Sequence, residues 1–340
     1  MSIDQGLRGP GAGGCAVAEL DRDETALPRP PASWSNVLGC RRFRAMNTDV
    51  RLFLRDYQQA GALANAERIF HEVEDRCSRF RTDSELSLLN ACAGHALPVS
   101  GELFDILAHA QRYGRLTDGI FEPAVLPALE AAGYDRSFDL VAGRDLERVS
   151  GPAPARHTIA ELRLDRRRQA VQAPAGLRID LGGIGKGYAV DAAAAHLRPL
   201  RDYLVDAGGD IFAAGDGPDG DGWLVGVASP FEAAPDLGVV RLHDEALATS
   251  TTAVRRWRRN GRWQHHLIDP RTGAPVENDV LSVSVRAACA MDADVFAKTA
   301  LLLGRDDGAR FLAAHGAAGL FVLVGGGTYA SARWRMGEAA

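Results

Sequence analysis

The sequence predicts an α+β fold on three grounds. Helical periodicity fills the early part of the chain, glycine-punctuated short strands take over from Gly119, and the two textures never settle into the regular βαβ alternation of a doubly wound sheet. Residues 1–38 are rich in Gly, Pro, Ala and charge without periodicity and read as a disordered leader, ahead of a folded domain over 39–335. Leu63, Ala66, Phe70, Val73, Cys77 and Phe80 recur at three- and four-residue spacing, which predicts a helix with one buried stripe. Thr82-Asp-Ser-Glu85 has the pattern of a capping box and should start a short helix through Leu89. A third helix is expected to open at Ser100 and bury Leu103, Ile106, Leu107 and Ala110.

Strands are expected over Leu177–Leu181, Tyr203–Asp206, Trp223–Ala228 and Gly238–Leu242. Arg255 to Arg259, around Trp257, reads as a strand with a solvated face, and Asp269-Pro-Arg-Thr-Gly273 as a β-turn. Leu281, Val283 and Val285 alternate with Ser282, Ser284 and Arg286, a strand with one polar face. Helices follow over Met291 to Leu303 and Asp306 to His315, and Leu320–Val324 is a final buried strand.

With 340 residues, 46% of them hydrophobic, the chain can bury a large core as one big domain or two closely packed halves. A net charge of −5 argues against a nucleic-acid partner, so any anionic small ligand must be held by local devices. The cysteines (Cys15, Cys40, Cys77, Cys92, Cys289) are odd in number, widely spaced and without a CxxC pair, which suggests neither a disulfide framework nor a zinc site and fits a reducing, cytoplasmic setting. Val37-Leu-Gly-Cys40 loosely resembles a lipoprotein cleavage box, but residues 28–36 before it contain no apolar run. No stretch approaches the roughly 20 apolar residues of a membrane span.

Lysine occurs only twice among 39 cationic side chains, at Lys186 and Lys298. A chain that otherwise uses arginine should keep lysine where a compact point charge is wanted, as between phosphate oxygens. Lys186 sits in Asp180-Leu-Gly-Gly-Ile-Gly-Lys186-Gly-Tyr-Ala-Val-Asp191. That segment is not a Walker A loop, because Asp180 and Gly187 stand where Gly and Ser/Thr are needed, and Tyr188 breaks the Rossmann glycine register. Two readings stay open: a strand, glycine turn and helix whose amino end faces an anion, or an ordinary strand–turn–helix with a surface lysine. Gly208-Gly209 is likewise either a tight packing point or a cofactor contact.

Met46-Asn-Thr48, Phe80 through Asn90, Asp118-Gly-Ile-Phe-Glu-Pro123, Asp180–Asp191, Asp206-Ala-Gly-Gly-Asp210, Ala248-Thr-Ser250, His266 through Gly273 and Ala293-Asp294 through Gly304 follow one another along the chain. In that order they resemble the ApbE family, the FAD:protein FMN transferases, over residues 41 to 330, with no counterpart for the leader. The resemblance implies a T-fold-like α+β protein that binds FAD as substrate and uses Mg²⁺. It further implies that FMN is moved to a Thr or Ser hydroxyl of an acceptor protein with release of AMP. By position in the family pattern, Met46, Phe80, Ile120, Phe121, Glu122, Asp180, Lys186 and Ile268 are implied FAD contacts, with Lys186 at the phosphates and Asp180 accepting hydrogen bonds. His266 matches the catalytic histidine, and an imidazole suits proton uptake near neutrality. If the two histidines share a strand, His265 should point away from His266.

The implied metal ligands are an Asp, a Thr four residues later and a carbonyl of the glycine turn. The corresponding residues here are Asp294, Lys298 and Gly183. An ammonium has no lone pair for a hard cation. Three arrangements stay open: Thr299 supplies the missing ligand after a helix shift; Mg²⁺ binds through Asp294, the Gly183 carbonyl, phosphate and water; or the Lys298 ammonium takes the metal's electrostatic position. The implied function is FMN transfer; the alternatives are an FAD hydrolase giving FMN and AMP, with water in place of the target hydroxyl, and a catalytically silent flavin binder because Lys298 replaces the usual Thr.

Overall fold

Alternating apolar side chains in short strands build one eight-stranded antiparallel sheet. Its order is Gly39–Ala45, Thr48–Leu54, Tyr203–Ala207, Asp210–Ala214, Glu245–Thr251, Val280–Ala287, Ala318–Leu323 and Thr328–Ala330. The computed structural model describes residues 39–56, 59, 61–92, 94–141, 145–146, 156–231 and 234–336, so the proposed leader lies outside the described residues. The helices are α1 (Gly61–Cys77), α2 (Glu85–Ala91), α3 (Gly101–Leu116), α4 (Leu126–Ala131), α5 (Gly185–Leu197), α6 (Ala290–Leu303) and α7 (Arg305–Ala314). No helix among the described residues is long and apolar enough to cross a membrane.

One face of the sheet buries Val50, Leu52, Val205, Val283 and Val285 beneath α1, α5 and α6. The other buries Phe53, Leu204, Ile211, Leu247 and Leu320 against Trp223, Val225, Val240 and Leu242 of a two-stranded ribbon. Mixed helices around antiparallel sheets meet the α+β expectation. The strand Arg256–Arg259 also forms as expected, with Trp257 fully buried, its Nε1 donating to the Ala132 carbonyl at 2.9 Å. The turn at Asp269 closes with the Gly273 amide donating to the Asp269 carbonyl at 2.7 Å.

Local expectations fail where a side chain replaces backbone pairing. Leu177–Leu181 is irregular rather than a strand, although Leu177, Ile179 and Leu181 are buried. Asn90 explains this: its side-chain amide takes both backbone groups of Ile179, accepting from N at 2.8 Å and donating to O at 2.9 Å, which removes the need for a neighbouring strand. The first helix ends at Cys77, leaving Phe80 outside it and partly exposed. Ser84, not Thr82, caps α2 by accepting from the Ser87 amide at 3.0 Å, while Glu85 reaches across to the Ser100 amide at 2.7 Å. The polar face of Val280–Ala287 is no solvent face: Ser282 and Ser284 are buried, and the Ser284 hydroxyl pairs with Thr249 at 2.8 Å.

Two tight hairpin turns sit side by side at one end of the sheet, because Val50 pairs with Ala207 in adjacent antiparallel strands. Gly208 and Gly209 make one of them, with φ of 64° and 95°. A Cβ on Gly208 would collide with Thr48, so Gly208 is a tight packing point, whereas Gly209 has open space around it and both line the cleft described below. Met46 and Asn47 make the other at φ 53° and 57°, without glycine. Left-handed backbone costs a residue with a Cβ about 1–2 kcal/mol. That strain fixes Met46 at the rim of the cleft described next.

Candidate active site

Helix α5 starts at Gly185 after the Asp180–Ile184 turn, and its cap residue Ile184 offers no side chain to the first amides. An uncapped amino end carries partial positive charge and suits an anion. The Cβ that Gly187 lacks would lie 2.8 Å from the Ala290 carbonyl and the Met291 Cα, so glycine lets α5 touch the start of α6. Asp191 locks this crossing by accepting from the Ala290 and Met291 amides at 2.8 and 2.9 Å. The crossing aims Asp294 and Lys298, one helical turn apart on α6, at the glycine turn.

Lys186 donates from Nζ to Oδ2 of the buried Asp210 at 2.5 Å. Lys298 lays its ammonium against Gly183, with Nζ 2.9 Å from where a Cβ on that glycine would stand. Burial lowers the Lys298 pKa against the pull of Asp180, Asp294 and Glu122. Burial first, and Asp210 second, push the Asp294 carboxyl up to about 7, while Lys186, Lys298 and the Gly187 amide work the other way. Asp294 Oδ2 is buried without a hydrogen-bond partner. Asp206, lifted to about 6 by burial, accepts from the Gly209 amide at 2.9 Å and ties the neighbouring turn.

Arg79 and Phe80 form an adjoining wall. The Arg79 guanidinium bonds to Asp180 Oδ2 and to the Tyr134 carbonyl, and lies 4.0 Å from the Phe80 ring centroid and 4.7 Å from that of Tyr134. Asp180 Oδ1 accepts from the Gly182 amide at 2.9 Å, so both oxygens already have protein partners.

His266 follows the strand Arg262–His265 and lines the cleft, with Nδ1 buried and unpartnered. Its pKa is held well below the ordinary value by burial, then by the Arg255 and Lys298 cations and His265, which keeps the imidazole neutral. His265 is turned away from the cleft, although His266 lies just past the end of the strand rather than on it. The His265 Nδ1 accepts from the Leu267 amide at 3.3 Å, so its Nε2 donates to the Val276 carbonyl at 3.1 Å.

Met46, Phe80, Asp180, Gly183, Lys186, His266, Asp294 and Lys298 thus line a single cleft of about 2000 Å³. Ile120, Phe121, Glu122 and Ile268 do not reach its wall. Ile120 packs against the main core, and Phe121 lies edge-on to Tyr113 with its ring 5.6 Å from Lys298 Nζ. Glu122 accepts from the Ala124 and Ile159 amides, both at 2.8 Å, and Ile268 is sealed in a small cluster with Leu129 and Trp257. The four form a layer behind the cleft wall. Thr299 does not line the cleft: α6 is continuous, and the buried hydroxyl donates to the Val295 carbonyl at 2.8 Å. Arg79 and Tyr134 were missed, since one arginine among many carries no signal of its pairing with Asp180.

The ApbE family pattern matches residues 46–321. An FAD:protein FMN transferase of Treponema pallidum is 34% identical over 264 residues, spanning 72% of this chain and 71% of that protein. One from Vibrio cholerae is 29% identical over 249 residues, 71% of this chain and 73% of the relative. Among solved structures, the ApbE protein of Thermotoga maritima superposes with a TM-score of 0.75 at 26% identity, covering 87% of this chain and 97% of that one. Flavin transferase ApbE from Vibrio cholerae gives 0.73 at 26% identity over 86% and 96%. With its fold and glycine turn placed as described and the family pattern matched over most of its length, the chain belongs to the ApbE family.

Proposed function

We propose that this protein is an FAD:protein FMN transferase, which joins FMN to a Thr or Ser hydroxyl of an acceptor protein and releases AMP. The observation that carries the reading is the convergence of both lysines on the uncapped amino end of α5, in a cleft that also holds a neutral histidine. In the reaction the acceptor oxygen bonds to the flavin-side phosphorus. The bond from that phosphorus to the bridging oxygen breaks, AMP leaves with that oxygen, and the hydroxyl proton passes to His266 and on to solvent. Lys186, Lys298 and the first amides of α5 stabilise charge on the diphosphate as it shifts toward AMP. The Arg79, Phe80 and Tyr134 surfaces offer a flat wall for the substrate's rings.

Mg²⁺, the further group implied by the resemblance, meets a poor donor set. Asp294 supplies one unpartnered side-chain oxygen and Gly183 at most its backbone carbonyl, Lys298 supplies none, and the Thr299 hydroxyl does not line the cleft. These residues do not fit a resident magnesium ion. Four unpaired cysteines among the described residues support a reducing, cytoplasmic setting.

Incubating the purified chain with FAD and a pool of candidate acceptor proteins tests the reading. AMP in solution together with flavin fluorescence that survives denaturing electrophoresis is expected. AMP without the covalent band would select FAD hydrolysis instead, and bound FAD with neither product a silent binder.

A further inference from the structure

We propose that the Lys298 ammonium stands in for a divalent cation beside the diphosphate, so that flavin uptake and transfer need no added metal. The inference rests on the function just proposed and concerns only how its charge is managed. Lys298 lies one turn beyond Asp294 on the same face of α6, and both side chains line the cleft. Asp294 is only 7% exposed, and its Oδ2 has no hydrogen-bond partner. A buried carboxylate oxygen left unanswered is costly unless something arrives to meet it.

The lysine reaches the glycine turn because Gly183 has no side chain: its stem and ammonium fill the space that a Cβ would enter, with Cδ at 3.0 Å and Nζ at 2.9 Å. There it feels Asp180, Asp294 and Glu122, and faces the Phe121 ring at 5.6 Å. A positive charge is therefore already installed between the turn and the acidic side chain.

The remaining oxygens are committed elsewhere. Asp210 is held by Lys186, Asp180 by Arg79 and the Gly182 amide, and Thr299 bonds to its own helix. A hard cation asking for several oxygen ligands finds one unpartnered side-chain oxygen, on Asp294, and an ammonium already seated against the glycine turn. An ammonium offers three donors and one compact charge, which suits phosphate oxygens. That also accounts for a lysine at this position in a chain that uses arginine for its other cations apart from Lys186.

The test uses the full chain, stripped with EDTA, with FAD affinity read from quenching of flavin fluorescence and metal uptake from the Mn²⁺ electron paramagnetic resonance signal. The parent should bind FAD equally with and without Mg²⁺, within about twofold, and take up no Mn²⁺ in the cleft. Lys298→Thr should bind FAD at least about tenfold more weakly in EDTA, the loss expected for one charge-assisted contact. Mg²⁺ should restore it, and Mn²⁺ should now bind. Lys298→Met keeps the apolar stem and checks that the loss follows the charge rather than the packing. A parent that loses FAD affinity in EDTA and regains it with Mg²⁺ overturns the inference while leaving the transferase reading intact. So does a Lys298→Thr chain whose metal response matches the parent. A folded parent that takes up no flavin under either condition overturns both.

Discussion

Glu122 and Asp294 both lie within electrostatic reach of Lys298, and burial lifts both carboxyls to about 7. Their surroundings differ in one respect. Glu122 Oε1 accepts two backbone amides, from Ala124 and Ile159, and its side chain stays behind the cleft wall. Asp294 Oδ2 has no hydrogen bond and its side chain faces the cleft. Among the described residues three buried side-chain atoms lack a partner, Arg259 Nε, His266 Nδ1 and Asp294 Oδ2, and the last two belong to residues of this cleft. Burial and a shifted pKa alone therefore do not separate scaffold from site here; unanswered hydrogen-bonding capacity does.

The sharpest way to break this comparison is His266→Ala. With the proton acceptor gone, transfer should slow by about 10²–10⁴-fold, the usual span for general base removal, while FAD affinity stays within a few-fold. Rates of covalent flavin labelling and fluorescence quenching read the two separately. A variant that loses flavin binding and rate together would make His266 a binding residue instead.

Next in size are paired substitutions with crossed effects. Glu122→Ala strands the Ala124 and Ile159 amides and should cost about 2–6 kcal/mol in urea unfolding, at about 1–3 for each buried group left unsatisfied. Asp294→Asn removes a buried carboxyl whose Oδ2 makes no hydrogen bond and whose burial outweighs the pull of the two lysines, so stability should hold or rise while transfer falls about 10-fold or more. The reverse pattern would show that the unanswered oxygen marks packing rather than function.

How much of this was legible in the sequence follows the range of the forces involved. Helix α3, its Ser100 cap and the buried set Leu103, Ile106, Leu107 and Ala110 were readable because periodicity and capping are local. The ordered motifs carried the family and most of the cleft wall, from Met46 to Lys298. Long-range substitution for a local rule was not readable. Nothing near Leu177–Leu181 announces that Asn90 will occupy the backbone of Ile179, and nothing near Glu122 announces that its oxygen will be taken by Ile159. The same limit hid Arg79, whose importance lies in Asp180, distant in sequence. Conversely, Asp191 sat inside a quoted motif, yet its work of holding the start of α6 is visible only once the two helices meet.

The smallest predicted effect is a pH dependence shared by both kinds of buried carboxyl. Glu122 and Asp294 at about 7 and Asp206 at about 6 stand above the ordinary carboxyl value near 4, and burial lifts Asp191 in the same direction. The folded chain then holds more protons than the unfolded one below these values, so stability falls as pH rises through 6 to 7. His109, His265 and His266 have the opposite sign: lowered mainly by burial, they favour the folded state above about 6.5 and lose that contribution as pH falls further. Between pH 8 and 6.5 the three histidines offset much of the carboxyl gain of about 1–2 kcal/mol, so lowering the pH should stabilise the flavin-free protein by under about 1 kcal/mol, a degree or two in melting temperature. Glu122→Gln and Asp294→Asn should each remove roughly half of the carboxyl gain, because titration responds to burial and does not ask whether an oxygen is satisfied. Equal losses from the two variants, set against their crossed effects on stability and transfer, would separate what the carboxyls share from what divides them. A melting temperature that climbs steadily from pH 6.5 to 8 in the parent would show that these carboxyls are ionised in the folded protein across that window.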